Sequence, residues 1–372
     1  MDKIRLAVIH SLPLEFYPPV TNLLNILSKN EKFKIKAYST KNEKKRDSYV
    51  NSNLDSICRG DSPTLNTSFT RKKFIEIISL FKMMSNLIAF RPDKILYYES
   101  FSALPVFLYI FIFNRKVKLY IHFHEYFSNH WYQKVASKQV VLNHYLEKKF
   151  LFKRAEWISQ TNSDRVNLFL KDHPDISKDK MYVTPNYPPS SWNIEKENLF
   201  NDNIIKCIYV GTLSLDYSYL REFCSWVISQ EGKIFFDIYG YNFNRETLDY
   251  LRKLNSQYIK FNEDGIEYSK LPKLLVRYNV GVILYKALTD NFKYNAPNKL
   301  FEYLACGLTV WYSDKMFGIK SYASEDVIAI NFENVETLQL EEVIPSVKKN
   351  SKHFFAEVAL QELILELQRE PK

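Results

Sequence analysis

Apolar and polar positions along this chain alternate between short buried-type runs and longer segments of helical period. Ile4-Arg5-Leu6-Ala7-Val8-Ile9-His10 reads as a buried strand interrupted only by Arg5. A proline-rich loop over 12–19 leads into a periodic apolar segment ending near Leu27, and 33–38 gives a second strand. Residues 41–70 are polar and predict a long loop. Residues 71–89 carry helical period and stop before Arg91-Pro92, because the residue before a proline resists the helical conformation. Lys94–Tyr98 and 117–123 predict two more strands, separated by an apolar helix over 101–113. Strand and helix alternating at this spacing predict a parallel sheet covered on both faces.

The rhythm restarts further on. Strands are predicted at 205–210, ending in Gly211, at 233–239, ending in Gly240, and at 258–261, 280–285 and 309–312. Helices are predicted at 220–230, 268–278 and 297–306, the last closed by Gly307. Between the two series lies Thr184-Pro185-Asn186-Tyr187-Pro188-Pro189 and a polar stretch to about 203, which reads as a linker. The expected architecture is α/β: two Rossmann-like αβα domains, 1–189 and 190–372, facing across a cleft. A closing helix over 341–367 is placed to pack back on the first domain. Open α/β sheets bind ligands at the carboxyl ends of their strands, and domain interfaces are a usual place for pockets.

Composition narrows the class. With 46% hydrophobic and 25% charged residues, the chain is neither disordered nor collagen-like. Only 8 glycines argue against many glycine-rich phosphate loops. No P-loop, Gly-x-Gly-x-x-Gly, Gly-x-Ser-x-Gly or zinc-type Cys/His spacing is present. The net charge of +9 is uneven: residues 1–188 hold 30 Lys and Arg against 17 Asp and Glu, the remainder 21 against 25. Such asymmetry points to an anionic partner for the first half, or to an uneven Lys-rich surface. The aromatics of that half sit in strands and helices without an RNA-binding motif, so no nucleic acid partner is expected.

Cys58, Cys207, Cys224 and Cys306 form no Cys-x-x-Cys pair and read as reduced thiols of a cytoplasmic protein. Asp2, Lys3 and Arg5 are charged and the apolar stretch 6–9 is too short for a signal-peptide core. The run 101–113 falls short of the roughly 18–20 residues that span a bilayer. It predicts a buried helix, with a surface-dipping helix as the alternative.

The stretch 294–311, YNAPNKLFEYLACGLTVW, carries the most chemistry. Pro297 suits the first turn of a helix and Asn295 is a candidate cap. A helix N-terminus presents free N–H groups and a positive dipole to phosphate, and Lys299 adds a charge there. Glu302, one turn further, can accept hydrogen bonds from vicinal hydroxyls, as a ribose presents. The plain alternative is an amphipathic helix with a solvated Lys and Glu. A second constellation, His122-Phe123-His124-Glu125-Tyr126, ends the strand at 117–123. His124 and Glu125 are expected at its carboxyl end, where either could orient an acceptor hydroxyl or take its proton. A structural pair of histidines is the alternative. The spacing is not His-Glu-x-x-His, so no metal is expected. Glu15 and Tyr17 in the first strand–helix loop, and Glu99 after the third strand, are weaker candidates on the acceptor side. Asn162 and Arg165 suit a helix cap and its solvated face, and Asn186 a linker turn.

Pro297, Lys299, Glu302, Ala305 and Gly307 match Pro-x-Lys-x-x-Glu-x-x-Ala-x-Gly. The segment thereby resembles the carboxylate helix of GT-B glycosyltransferases, in particular the large bacterial retaining class similar to glycogen and sucrose synthases. Residues 208–212, Tyr239-Gly240, Gly265-Ile266 and Tyr278-Asn279-Val280-Gly281-Val282 resemble further segments of that family's second domain. The resemblance implies a metal-independent, retaining transferase without cofactor. Its donor would be a UDP- or GDP-sugar, and its acceptor the hydroxyl of a glycan or lipid-linked glycan in cell-surface polysaccharide biosynthesis. The first domain would bind acceptor and the second the nucleotide sugar. Gly211, Thr212, Tyr239, Gly240, Ile266, Tyr294, Asn295, Pro297 and Asn298 would line the donor, with Glu302 on the ribose. Two departures stand out. Tyr294 replaces a paired glutamate of many members, and no Lys or Arg follows Gly211 before residue 221. Lys286, Lys293 and Lys299 are therefore the candidates for the diphosphate, with Lys286, just past a strand end, and Lys299 favoured. The same fold also hosts nucleotide-sugar epimerases, and a non-catalytic sugar-nucleotide-binding subunit is a further alternative. The basic first domain suits an anionic membrane at the inner face of the cell envelope.

Overall fold

A computed structural model describes residues 3–42, 46–61, 67–194, 204–241, 243–344 and 354–369. The chain forms two compact units, 1–185 together with 356–372, and 186–355. In the first, β1 (Ile4–His10), β2 (Phe33–Thr40), β3 (Ser56–Gly60), β4 (Lys94–Tyr98), β5 (Lys118–Phe123), β6 (Trp157–Gln160) and β7 (Met181–Val183) make a parallel sheet in the order β3-β2-β1-β4-β5-β6-β7. In the second, β8 (Ile205–Val210), β9 (Ile234–Tyr239), β10 (Ile259–Asn262), β11 (Val280–Ile283), β12 (Thr309–Ser313) and β13 (Val327–Ile330) run in the order β10-β9-β8-β11-β12-β13. Each sheet reverses its winding beside its first strand, between β1 and β4 and between β8 and β11. That switch point is where doubly wound sheets open a crevice for ligands.

The central strands, β1, β4, β5, β11 and β12, are buried on both faces, which is why they read as near-continuous apolar runs. On one side of the first sheet, helices Phe69–Phe90 and Ala103–Leu108 bring Met84, Leu87 and Val106 against Ile95 and Ile121. On the other, helix Pro18–Leu27 buries Leu23 and Leu24 beside Leu363 and Leu367 of the closing helix Gln361–Gln368. Each such side chain contributes about 1.5–3 kcal/mol of burial. Lys94, buried at the start of β4, donates to the carbonyls of Glu366 (3.2 Å) and Arg369 (2.6 Å). It thereby caps the closing helix, whose last carbonyls would otherwise lack partners.

Several local expectations change. Helix Phe69–Phe90 ends with Arg91 in the left-handed region (φ 51°), the break that Pro92 enforces. The stretch 41–70, read as loop, contains the half-buried edge strand β3; residues 43–45 and 62–66 lie outside the described residues. The apolar helix at 101–113 is α-helical only over Ala103–Leu108, and widens into a π-type turn at Tyr109–Phe113. Of the helix read at 341–367, the described residues place a short 3-10 turn at Leu340–Glu342 and α-helix only from Ala356; 345–353 lie outside them, as does most of the polar stretch after Pro189. All four cysteines are free thiols.

Candidate active site

In the second unit, chemistry gathers at the carboxyl end of β8. Helix Asn298–Ala305 begins one residue later than its sequence suggests: Pro297 is the cap residue, extended at φ −71° and ψ 154°. No side chain caps this end, so Asn295 is not the cap. The helix lies close on β11 because Gly281 leaves room. A Cβ there would fall 2.1 Å from the Tyr303 ring. The Tyr303 hydroxyl in turn accepts from the Val210 amide (3.1 Å), fixing the helix to the end of β8. Gly281→Ala is expected to cost about 1–3 kcal/mol by overpacking, read as a lower urea midpoint, and to weaken nucleotide binding by displacing the helix.

Lys299 is buried. Its ammonium donates to Tyr285 Oη (2.7 Å) and Tyr209 Oη (3.2 Å) and lies over both rings. Tyr209 Oη donates onward to the Thr212 carbonyl (2.8 Å), so amine and turn are held as one piece. Gly211 adopts φ 123°, and a Cβ there would sit 3.3 Å from Lys299 Nζ. Glycine thus lets the turn approach the lysine, which supplies the cation missing after Gly211. Glu302 is also buried, and no group among the described residues donates a hydrogen bond to its carboxylate. Burial pushes its pKa up to about 7, against the opposing charge of Lys299.

The other donor-side candidates are spread out. Tyr239 and Gly240 end β9 beside Gly211, whose amide donates to the Tyr239 carbonyl (2.9 Å). Ile266 is half-buried beyond β10. The Tyr294 ring meets Phe317 edge-on. Lys286 is not brought to Lys299: its amine donates to the Leu215 carbonyl (3.1 Å) and faces Glu222 at 3.9 Å.

In the first unit, the sheet register lines up His10, Tyr98, His122 and Ser159 across β1, β4, β5 and β6. His122 Nδ1 meets Ser159 Oγ (2.8 Å), and its Nε2 meets His124 Nδ1 (3.2 Å). The His124 ring stacks on Tyr98 at 5.0 Å, and Tyr17 covers both His124 and His10. His10 donates from Nδ1 to the Leu12 carbonyl (2.9 Å), leaving Nε2 as a buried acceptor without a hydrogen-bond partner among the described residues. Burial lowers His10 to about 4 and His122, next to Arg165, to about 3. Both rings are therefore neutral acceptors at neutral pH.

The backbone under His124 is clamped. Glu99 Oε1 accepts from the amides of His124 (2.6 Å) and Glu125 (3.2 Å), from a residue held at φ 61°. Burial, with the Glu125 charge, pushes Glu99 up to about 8. Arg165, wholly buried rather than solvated, donates to the His124 carbonyl, to Thr161 Oγ1 (3.0 Å) and to Glu125 Oε2 (3.4 Å). Asn162 caps the helix that carries it. Glu125 is half exposed. Glu15 stands apart, tied to Arg59 (3.0 Å) and to the Tyr49 amide (2.8 Å). Sequence reasoning missed His10 and Tyr98. Their signal is weak: one polar or aromatic residue closing an apolar strand at a switch point.

No protein-family profile matches the chain, and no curated protein does. Solved structures match along its length. A sucrose-phosphate synthase from Thermosynechococcus elongatus superposes with a TM-score of 0.66 at 14% identity, covering 98% of this chain and 99% of that one. A glycosyltransferase from Rickettsia africae ESF-5 gives 0.65 at 9% identity over 99% and 98%. A UDP-GlcNAc 2-epimerase from Neisseria meningitidis, solved bound to UDP-GlcNAc, gives 0.60 at 13% identity over 98% and 100%. The fold is GT-B. Both glycosyltransferases and nucleotide-sugar epimerases are built on it, so the choice between them rests on the residues.

Proposed function

We propose that this chain is a glycosyltransferase that moves a sugar from a nucleoside diphosphate sugar to a hydroxyl acceptor. The observation that carries the reading is the buried, donor-free carboxylate of Glu302, one turn from a lysine clamped against the Gly211 turn. No protein group among the described residues donates to this carboxylate, and the vicinal hydroxyls of a ribose can supply two donors. The uncapped amides of Asn298 and Lys299 and the Lys299 ammonium then face the diphosphate, and stabilise it as it leaves. Tyr239, Gly240 and Ile266 are the candidates for the base. In the first unit, His124 and Glu125 on their clamped backbone take the acceptor hydroxyl, with His10 and Tyr17 beside them. Retention at the sugar carbon, independence from metal, a UDP or GDP donor and a glycan or lipid-linked acceptor complete the proposal.

The test is thermal shift against UDP, GDP, dTDP and their sugars, followed by turnover assays with and without acceptor. A matching nucleotide at 100 times its dissociation constant raises stability by about 2.7 kcal/mol. Transfer to an added acceptor supports the proposal. Epimerised nucleotide sugar formed without acceptor would assign an epimerase, and tight binding with no turnover a silent binding subunit. His124→Ala is expected to lower turnover about 100-fold, within the usual range for acid–base groups, with nucleotide affinity within twofold. Unchanged turnover removes His124 from the reaction.

A further inference from the structure

Three neighbouring helical segments cover one face of the first unit's sheet: Phe69–Phe90, Ala103–Leu108 with its turn at Tyr109–Phe113, and Lys138–Leu146 with its turn at Glu147–Leu151. They touch one another. Lys73 Nζ donates to Gln139 Oε1 (3.1 Å), and Phe107 and Phe111 pack on Phe150 at 5.2 and 5.5 Å. Their inward sides fill the core. An outward side facing only water would be polar.

It is not. Phe74, Ile77, Ile78 and Phe81 are 63%, 50%, 44% and 71% exposed. Their spacing of three, four and seven puts them on one stripe of the helix. Ile112 and Phe113 are exposed at the end of the second segment, and Leu142 and Tyr145 on the third. Large apolar side chains clustered on neighbouring elements mark an interaction surface, whereas scattered ones do not.

Charge identifies the partner. Residues 69–90, 101–116 and 138–154 hold eleven Lys and Arg but two Glu. Glu147 is wholly buried, and Glu76 is paired with Lys73 at 2.6 Å. The exposed cations Arg71, Lys82, Arg115, Lys116, Lys148 and Lys149 thus accompany the apolar stripe, and Asp61, whose charge reaches Lys82, is itself paired with Lys41. No described helix is long and apolar enough to cross a membrane. We propose that this face docks the protein on an anionic lipid surface. The apolar stripe enters the acyl boundary and the lysines and arginines meet the head groups. A second copy of the same face would repel it, and a nucleic acid would leave the apolar stripe in water. The proposal does not depend on the donor site.

The experiment is co-sedimentation of the full chain with vesicles of phosphatidylcholine alone or mixed with phosphatidylglycerol. Two double variants accompany it, Phe74→Ser with Phe81→Ser, and Lys148→Glu with Lys149→Glu. The parent is expected to bind the anionic vesicles, falling with salt, and the neutral ones at least about tenfold more weakly. Each double variant loses at least about tenfold in anionic-vesicle binding. Circular dichroism and urea midpoints separate loss of docking from loss of fold. Absence of vesicle binding, or equal binding by parent and both variants, overturns the proposal. So does lipid-free self-association that the serine pair abolishes, or binding of duplex DNA in place of vesicles.

Discussion

Glu302→Ala is expected to weaken binding of the matching nucleoside diphosphate about 100-fold while leaving the urea midpoint near that of the parent. Two hydrogen bonds from hydroxyls to a carboxylate contribute on the order of 3 kcal/mol. The chain loses little by the change, because this carboxyl is a burden to the folded state. Its pKa is raised from 4.5 to about 7 by burial. Between those values the folded chain holds a proton that the unfolded chain has released, so stability falls as pH rises through that window. Above it, ionisation costs the folded chain about 3 kcal/mol. A nucleotide that binds the carboxylate form has the opposite dependence. Its affinity is constant above pH 7 and falls roughly tenfold per pH unit below. Titration calorimetry with UDP and GDP across pH 5.5 to 8.5 reads this slope, and Glu302→Gln should abolish it. A parent whose affinity does not change across that range would remove Glu302 from the ribose.

Lys299→Met is expected to weaken nucleoside diphosphate binding about 100-fold and to lower turnover by a further factor of about 100 or more. Affinity for the bare nucleoside should not change. The contrast follows from position: the ammonium lies at the Gly211 turn beside the uncapped helix start, where the diphosphate rather than the nucleoside would bring its charge. The methionine stem keeps the packing between Tyr209 and Tyr285 but takes the donor from both hydroxyls. Tyr285→Phe, which leaves the ammonium one hydroxyl partner, should have a smaller effect of the same sign. Equal loss for nucleoside and diphosphate would make Lys299 part of the scaffold instead.

The elements legible in the sequence are those whose signal is local. Doubly buried strands such as β1, β4 and β11 announce themselves as apolar runs, and a proline ahead of an amphipathic segment marks the helix that carries Lys299 and Glu302. Strands β3, β7 and β13 were not legible as such. They are three to five residues long and lie at sheet edges, where pairing with one neighbour decides and no periodicity builds up. The site divides in the same way. Glu302 and His124 stand in recognisable surroundings. The clamp on Lys299 joins residues 209, 285 and 299, and the ring cluster joins residues 10, 17, 98 and 124, so only the assembled sheets bring them together. Lys286 shows the converse. A lysine just past a strand end looked suited to phosphate, yet the alternation of side chains sends it away from Tyr285 toward Leu215 and Glu222.

The closing helix gives the chain an order of assembly. Leu363 and Leu367 complete the face of a unit whose strands begin at Ile4, and Lys94 waits for the carbonyls of Glu366 and Arg369. On the ribosome, the unit begun first is the one finished last. All of 186–355 is translated while the β1 side of the opening sheet still shows an apolar strip to the chaperones of the cell. A stop codon just past residue 355 would therefore leave the second unit whole and the first one uncovered. The loss would fall on the half of the protein farthest from the missing codons.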